Sequence, residues 1–224
     1  IPVSEFEQEG YLLMATRRGK VKKTRLDAFG KRGSGGIIAL DLAPGDRLIG
    51  VRKTTGDDEV MLGTRRGYAI RFHEKDVRTM GRGAGGVRGI RLDRGDEVVD
   101  MALVREGARL LTLCEKGYGK RTELKEYPRQ RRGGRGRLDI RTTERNGLVV
   151  AMREVSDDQE LIVVTEKGKT VRTPVSAIRC IGRRTQGVRI VSTNEGDVVS
   201  GVVAVGPQNE EYPAGVDDAE GAET

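Results

Sequence analysis

A glycine recurs at Gly19, Gly67, Gly117 and Gly168, at intervals of 48, 50 and 51 residues, each time inside the same short phrase: TRRGK, TRRGY, CEKGY and TEKGK. A period of this length held over three intervals confines the chain to a repeat architecture, in which one supersecondary unit is copied and stacked on itself. The copies share further stations. Four residues past the glycine stands a cation, Lys23, Arg71, Arg121 or Arg172, and ten past it an apolar or aromatic residue, Phe29, Val77, Tyr127 or Ile178. A Gly/Arg-rich loop follows, holding Arg32, Arg82, Arg132 or Arg183 and closing on Gly36, Gly86, Gly136 or Gly187. Three copies then turn at Gly45-Asp46, Gly95-Asp96 and Gly196-Asp197, and the third turns at Asn146-Gly147.

The segments between stations read as strands. Tyr11 to Thr16, Val60 to Thr64, Arg109 to Cys114 and Leu161 to Thr165 are short apolar runs bounded by charged glycine turns, and no amphipathic helix of useful length occurs. About four short strands per repeat, roughly sixteen in all, predict an all-β fold of propeller-like four-stranded blades. The expected organisation is an N-terminal lead-in at 1–9, one four-blade domain at 10–208 and a tail at 209–224. The repeats fall at about 10–56, 57–107, 108–158 and 159–208. Blades share a continuous core, so 36% hydrophobic content suffices, and the 32 glycines supply tight turns. The two cysteines, Cys114 and Cys180, show no metal-ligand spacing and fit a reducing cytosol; no signal peptide or membrane-length apolar run is present. A chain that begins at Ile1 reads as a fragment.

Charge is unevenly spread. Residues 209–224 carry six carboxylates and no lysine or arginine, which marks a solvated, disordered acidic tail and leaves +13 on residues 1–208 of a chain whose net charge is +7. A body this basic attracts a polyanion. With no Trp, three Phe and five Tyr, the chain lacks the stacking platforms of single-strand binders, and it has no helix to enter a major groove. Cations that recur once per blade predict instead a curved rim along which double-stranded DNA is held by its backbone and bent. The string QRRGGRG (Gln130, Arg131, Arg132, Gly133, Gly134, Arg135, Gly136) falls in the loop that is basic in every repeat. Its glycines allow close approach to phosphates, and its arginines supply planar forks for phosphate oxygens.

Catalytic readings fail one by one. Gly81, Gly83 and Gly86 satisfy G-x-G-x-x-G but lead into a strand rather than the helix a dinucleotide site needs. Gly168-Lys169-Thr170 imitates the end of a P-loop, yet the required earlier glycine falls on Val163. His73, the single histidine, reads as a surface residue, and Asp46, Asp96 and Asp197 read as turn residues.

QRRGGRG is similar to the seven-residue box of the DNA gyrase A protein, and SGGIIALDL, GDDEVMLGTRRGYAIRF, MGRGAGGVRGIRL, EKGYGKRTELKEYP and GRRTQGVRI resemble the surrounding C-terminal β-pinwheel domain over about residues 10–208. The resemblance implies a β-pinwheel that wraps DNA around its outer rim to support ATP-dependent negative supercoiling by a type II topoisomerase. It places the cleavage tyrosine, ATP and magnesium elsewhere in the holoenzyme, and no cofactor in this chain. The implied partners are duplex DNA, the rest of gyrase A, and gyrase B in a heterotetramer, in the bacterial cytoplasm at the nucleoid and not at a membrane. The family's full domain has six blades with its principal box in the first, which would make this chain the last four blades and Gln130 to Gly136 a secondary box. The alternatives are the topoisomerase IV counterpart, which recognises DNA geometry, and a protein-interaction propeller with incidental charge.

Overall fold

The apolar runs just before the repeated glycines form the first strand of each repeat: β1 (Tyr11–Thr16), β4 (Glu59–Thr64), β8 (Arg109–Cys114) and β12 (Glu160–Thr165). The glycine itself makes the hairpin turn, with φ of 78°, 82°, 75° and 84° at Gly19, Gly67, Gly117 and Gly168, a left-handed conformation that costs other residues strain. The chain returns antiparallel as β2 (Lys20–Arg25), β5 (Tyr68–His73), β9 (Tyr118–Glu123) and β13 (Thr170–Pro174). After a one-turn 3-10 segment and the basic loop, a third strand pairs on the other side of the first: β3 (Leu48–Thr54), β7 (Val98–Leu103), β11 (Val149–Val155) and β15 (Val199–Val205). This computed structural model describes residues 9–30 and 36–206; the lead-in up to residue 8, Arg32 and the acidic tail lie outside the described residues.

The fold is the expected all-β pinwheel, but the blades are not made one per repeat. Sheet orders are β3-β1-β2-β6, β10-β5-β4-β7, β11-β8-β9-β14 and β13-β12-β15. The outermost strand of each of the first three blades is a two-residue piece lent by the following repeat: β6 (Val87–Arg88), β10 (Arg137–Leu138) and β14 (Val188–Arg189). The last described blade receives no such strand and has three, so the described residues hold fifteen strands and not sixteen.

The lending explains the repeated glycine. Gly19 accepts hydrogen bonds from Gly89 and Ile90, Gly67 from Asp139 and Ile140, and Gly117 from Ile190 and Val191, all between 2.8 and 3.2 Å. A Cβ at Gly67 would lie 2.2 Å from the Ile140 carbonyl oxygen, and one at Gly117 would lie 2.0 Å from that of Val191. Only glycine lets the lent strand approach so closely.

Neighbouring blades meet along their third strands, where β7 packs on β3 and β11, and β11 on β15, so these strands are innermost and β6, β10 and β14 form the outer rim. One core cluster joins the first two blades through Leu13, Val21, Leu62, Ile70, Phe72 and Ile90. A second joins the last two through Leu111, Leu113, Leu161, Val163 and Val191. Phe29, Val77, Tyr127 and Ile178 are all buried, as expected of packing residues. The turn aspartates also behave as expected: the Asp46, Asp96 and Asp197 carboxylates accept the backbone amides of Arg18, Arg66 and Lys167, locking the hairpin turn to the Gly-Asp turn. His73 is half-buried rather than a surface residue; its Nδ1 accepts the Lys75 amide at 3.1 Å and its Nε2 lies 3.0 Å from Asp57.

Candidate nucleic-acid interface

The QRRGGRG loop connects the third repeat to its lent strand β10, and it lies across the boundary between two blades. The Gln130 amide donates to the Arg71 carbonyl at 2.8 Å, the Gly133 amide to Gly89 at 2.6 Å, and the Gly134 carbonyl accepts the Arg91 amide at 2.8 Å. Gly133 and Gly136 have φ of 82° and 79°, and a Cβ at Gly136 would sit 2.4 Å from the Ala69 carbonyl oxygen. The glycines therefore press the loop against the preceding blade's outer edge while its arginines stay at the surface.

Those arginines are not equivalent. Arg131 is exposed and has no hydrogen bond or ion pair from its guanidinium among the described residues. Arg132 donates from Nε to the Asp76 carbonyl at 2.7 Å and from Nη1 to the Arg88 carbonyl at 3.0 Å. Arg135 pairs with Asp93 at 2.6 Å and lies over the Tyr68 ring, 4.6 Å from its centre, an arrangement that raises the guanidinium pKa further. Arg183, at the station of Arg132, repeats part of its contact set: Nη1 reaches the Leu138 carbonyl at 3.4 Å, the residue matching Arg88. Arg82 is half-buried and its carbonyl accepts the Lys22 ammonium.

In the second set of expected contacts, Lys23, Arg71, Arg121 and Arg172, burial corrects two, Lys23 and Arg121. Lys23 and Arg121 are each 6% exposed. Lys23 Nζ donates to the Glu74 carbonyl at 3.0 Å and stands 3.7 Å from its carboxylate. Arg71 donates to the Leu124 carbonyl at 2.9 Å and to Glu59 at 2.6 Å, and Arg121 to Ile178 at 2.7 Å and Ser176 at 3.1 Å. Each of the three reaches the 3-10 turn of the next repeat, so its donors are engaged within the protein. Arg172, which has no following repeat among the described residues, turns back to Glu160 at 2.6 Å and is exposed. This station couples blade to blade.

Sequence reasoning missed a different set. The residue before each repeated glycine is a cation, Arg18, Arg66, Lys116 or Lys167, and all four are exposed at the hairpin turn. The signal is present in the four aligned phrases, where the glycine is the more conspicuous repeat. Lys116 and Lys167 donate to the carbonyls of Glu144 and Glu195, whereas no hydrogen bond from the Arg18 or Arg66 guanidinium is found among the described residues. Beside Arg18, the cross-strand pair Lys20 and Arg88 and the nearby Arg91 complete a cluster of cations on the first blade's rim. On the third blade, Arg189 donates to the Tyr118 hydroxyl at 2.7 Å while Arg145 and Arg189 lie 4.8 and 5.2 Å from its ring centre; these hydrogen bonds and charges pull the Tyr118 pKa down.

Among the described residues no group of three or more His, Cys, Asp and Glu is placed to hold a metal ion, and no helix is long and apolar enough to cross a membrane. The model of the DNA gyrase C-terminal domain, a beta-propeller, matches residues 10–55, 58–105, 109–156 and 159–205. The DNA gyrase A protein of Halalkalibacterium halodurans is 53% identical over 94% of this chain and 25% of its own length; that of Escherichia coli is 44% identical over 100% and 26%. The chain thus spans about a quarter of the length of these relatives. Among solved structures, a DNA topoisomerase IV C-terminal domain superposes with a TM-score of 0.87 at 29% identity, over 92% of this chain and 65% of that one. A DNA gyrase A C-terminal domain gives 0.81 at 28%, over 90% and 68%. Four consecutive family matches laid over four consecutive blades place the chain in a known family: it belongs to the DNA gyrase C-terminal domain family of beta-propellers.

Proposed function

We propose that this chain binds duplex DNA along its outer rim through the phosphate backbone and bends it, serving as the DNA-wrapping part of a gyrase A protein. The observation that carries the reading is the rim itself. Every outermost strand follows a basic loop, and Arg131, Arg88 and Arg18 face outward with no carboxylate in ion-pair contact among the described residues. A row of this kind binds without reading sequence, since phosphate contacts position the duplex and deformability supplies preference.

Within the larger enzyme this part would present a contiguous DNA segment for strand passage, supporting negative supercoiling. ATP hydrolysis, magnesium and the cleavage tyrosine would belong to the rest of gyrase A and to gyrase B, and the setting would be the bacterial cytoplasm. A topoisomerase IV counterpart is the second reading, favoured by the TM-score of 0.87. The unbroken QRRGGRG string and the 42–53% identities to gyrase A proteins weigh towards gyrase.

The test is the salt dependence of duplex binding. Rim binding predicts log affinity falling linearly with log salt, with a slope of about −0.9 per phosphate neutralised. Binding that is absent at low salt, or indifferent to salt, would favour a protein-interaction propeller.

A further inference from the structure

We propose that Arg18, Lys20, Arg88 and Arg91 form a phosphodiester-binding notch on the rim of the first blade, with Arg132 of the QRRGGRG loop as its positioning residue. The proposal rests on the reading of the rim as a DNA-binding surface and assigns to it a particular subsite. The four cations, with Ile90 and Leu92, line a cleft of about 580 Å³ that contains no acidic residue. None of the four side-chain cations has an ion-pair partner among the described residues.

Two repeats build the notch. Arg18 and Lys20 flank Gly19 at the hairpin turn, while Arg88 and Arg91 arrive on and after the lent strand β6. Lys20 and Arg88 are direct cross-strand partners, and like charges set opposite each other destabilise a sheet. The other blades avoid this repulsion at the matching positions: Tyr68 faces Leu138, and Tyr118 faces Arg189 with a hydrogen bond between them. Of the three blades that receive a lent strand among the described residues, the first alone sets two cations without ion-pair partners face to face, with two more beside them. A phosphodiester bridging them removes the repulsion, and the apolar floor of Ile90 and Leu92 suits the sugar face next to a phosphate.

The box loop holds the notch in shape. The Gly133 amide binds the Gly89 carbonyl, the Gly134 carbonyl takes the Arg91 amide, and Arg132 binds the Arg88 carbonyl, so the backbone that carries both notch arginines is pinned on three sides. Arg132 acts on phosphate through this strand.

The experiment compares duplex binding and salt slope for the unaltered chain, Arg88→Ala/Arg91→Ala, Arg18→Ala, Arg132→Ala and Lys125→Ala, the last removing a charge at the opposite end of the blades, each checked for an unchanged melting curve. The notch predicts that the double variant loses about tenfold or more in affinity and flattens the slope by about two, and that Arg18→Ala flattens it by about one. Arg132→Ala should weaken binding while changing the slope by less than the double variant does, and Lys125→Ala should change neither. If the unaltered chain binds with a steep slope and the notch variants match Lys125→Ala, the notch is refuted while the rim reading stands. If the unaltered chain shows no salt-dependent duplex binding, both fall. Arg18→Ala keeps the test open should the double variant fold poorly, because Arg18 lies in the exposed turn outside the strands.

Discussion

Gly67 and Gly117 carry two demands at once, a left-handed backbone and a carbonyl oxygen two residues past the lent strand, Ile140 or Val191, within about 2 Å of where a Cβ would stand, whereas Gly168 carries only the first. This separates strain from contact in one molecule. Gly168→Ala should cost about 1–2 kcal/mol, the strain of a left-handed L-residue. Gly67→Ala and Gly117→Ala should each cost about 3 kcal/mol or more, because backbone must shift as well. Denaturant midpoints measure the difference, and equal losses at all three sites would remove the lent strand from the explanation. The period of these glycines was visible in the sequence, but its cause was not, since the atoms each glycine must clear belong to the next repeat. The same blindness affected Lys23, Arg71 and Arg121. A repeated cation reads identically whether it faces solvent or a buried carbonyl, and only the packing of one blade on the next distinguishes them.

At the scale of elements, the long strands were legible because a run of apolar residues between glycine turns has one natural use, and the four predicted first strands match β1, β4, β8 and β12 to within one residue. Strand exchange was not legible. β6, β10 and β14 are two residues long, too short to show any alternation, and their partners lie in another repeat. Exchange makes each blade depend on its successor, and the couplers at the station of Arg121 add to that dependence. Arg121→Ala should destabilise the chain by about 2–4 kcal/mol, since it empties a buried site and leaves the Ile178 and Ser176 carbonyls without their donor. Arg172→Ala, removing an exposed pair with Glu160, should stay within about 0.5 kcal/mol. Thermal unfolding of the two variants checks this, and neither should alter the salt slope of duplex binding. A flattened slope in folded Arg121→Ala would return that residue to the DNA surface.

For the whole molecule, the innermost strands hold the blades together and the lent strands mark the circumference, so the basic loops that precede β6, β10 and β14 follow one another from blade to blade along the rim. That the rim is basic was readable from composition and period. Which arginines are available was not, because Arg132 and Arg135 in the most conspicuous string are already engaged while Arg18, Arg88 and Arg91 have no hydrogen bond or ion pair from their guanidinium groups among the described residues. A straight short duplex touches one or two blades, and following the rim requires bending, at a cost on the order of a few kcal/mol that further phosphate contacts must offset. The most direct test of bending along the rim is therefore the distance between the two ends of a duplex, read by energy transfer between end labels as duplex length is increased. Wrapping predicts that affinity rises with length until the rim is spanned and that the bound ends move closer together than in the free duplex. Binding of unchanged strength at every length, with the end-to-end distance of free DNA, would contradict it.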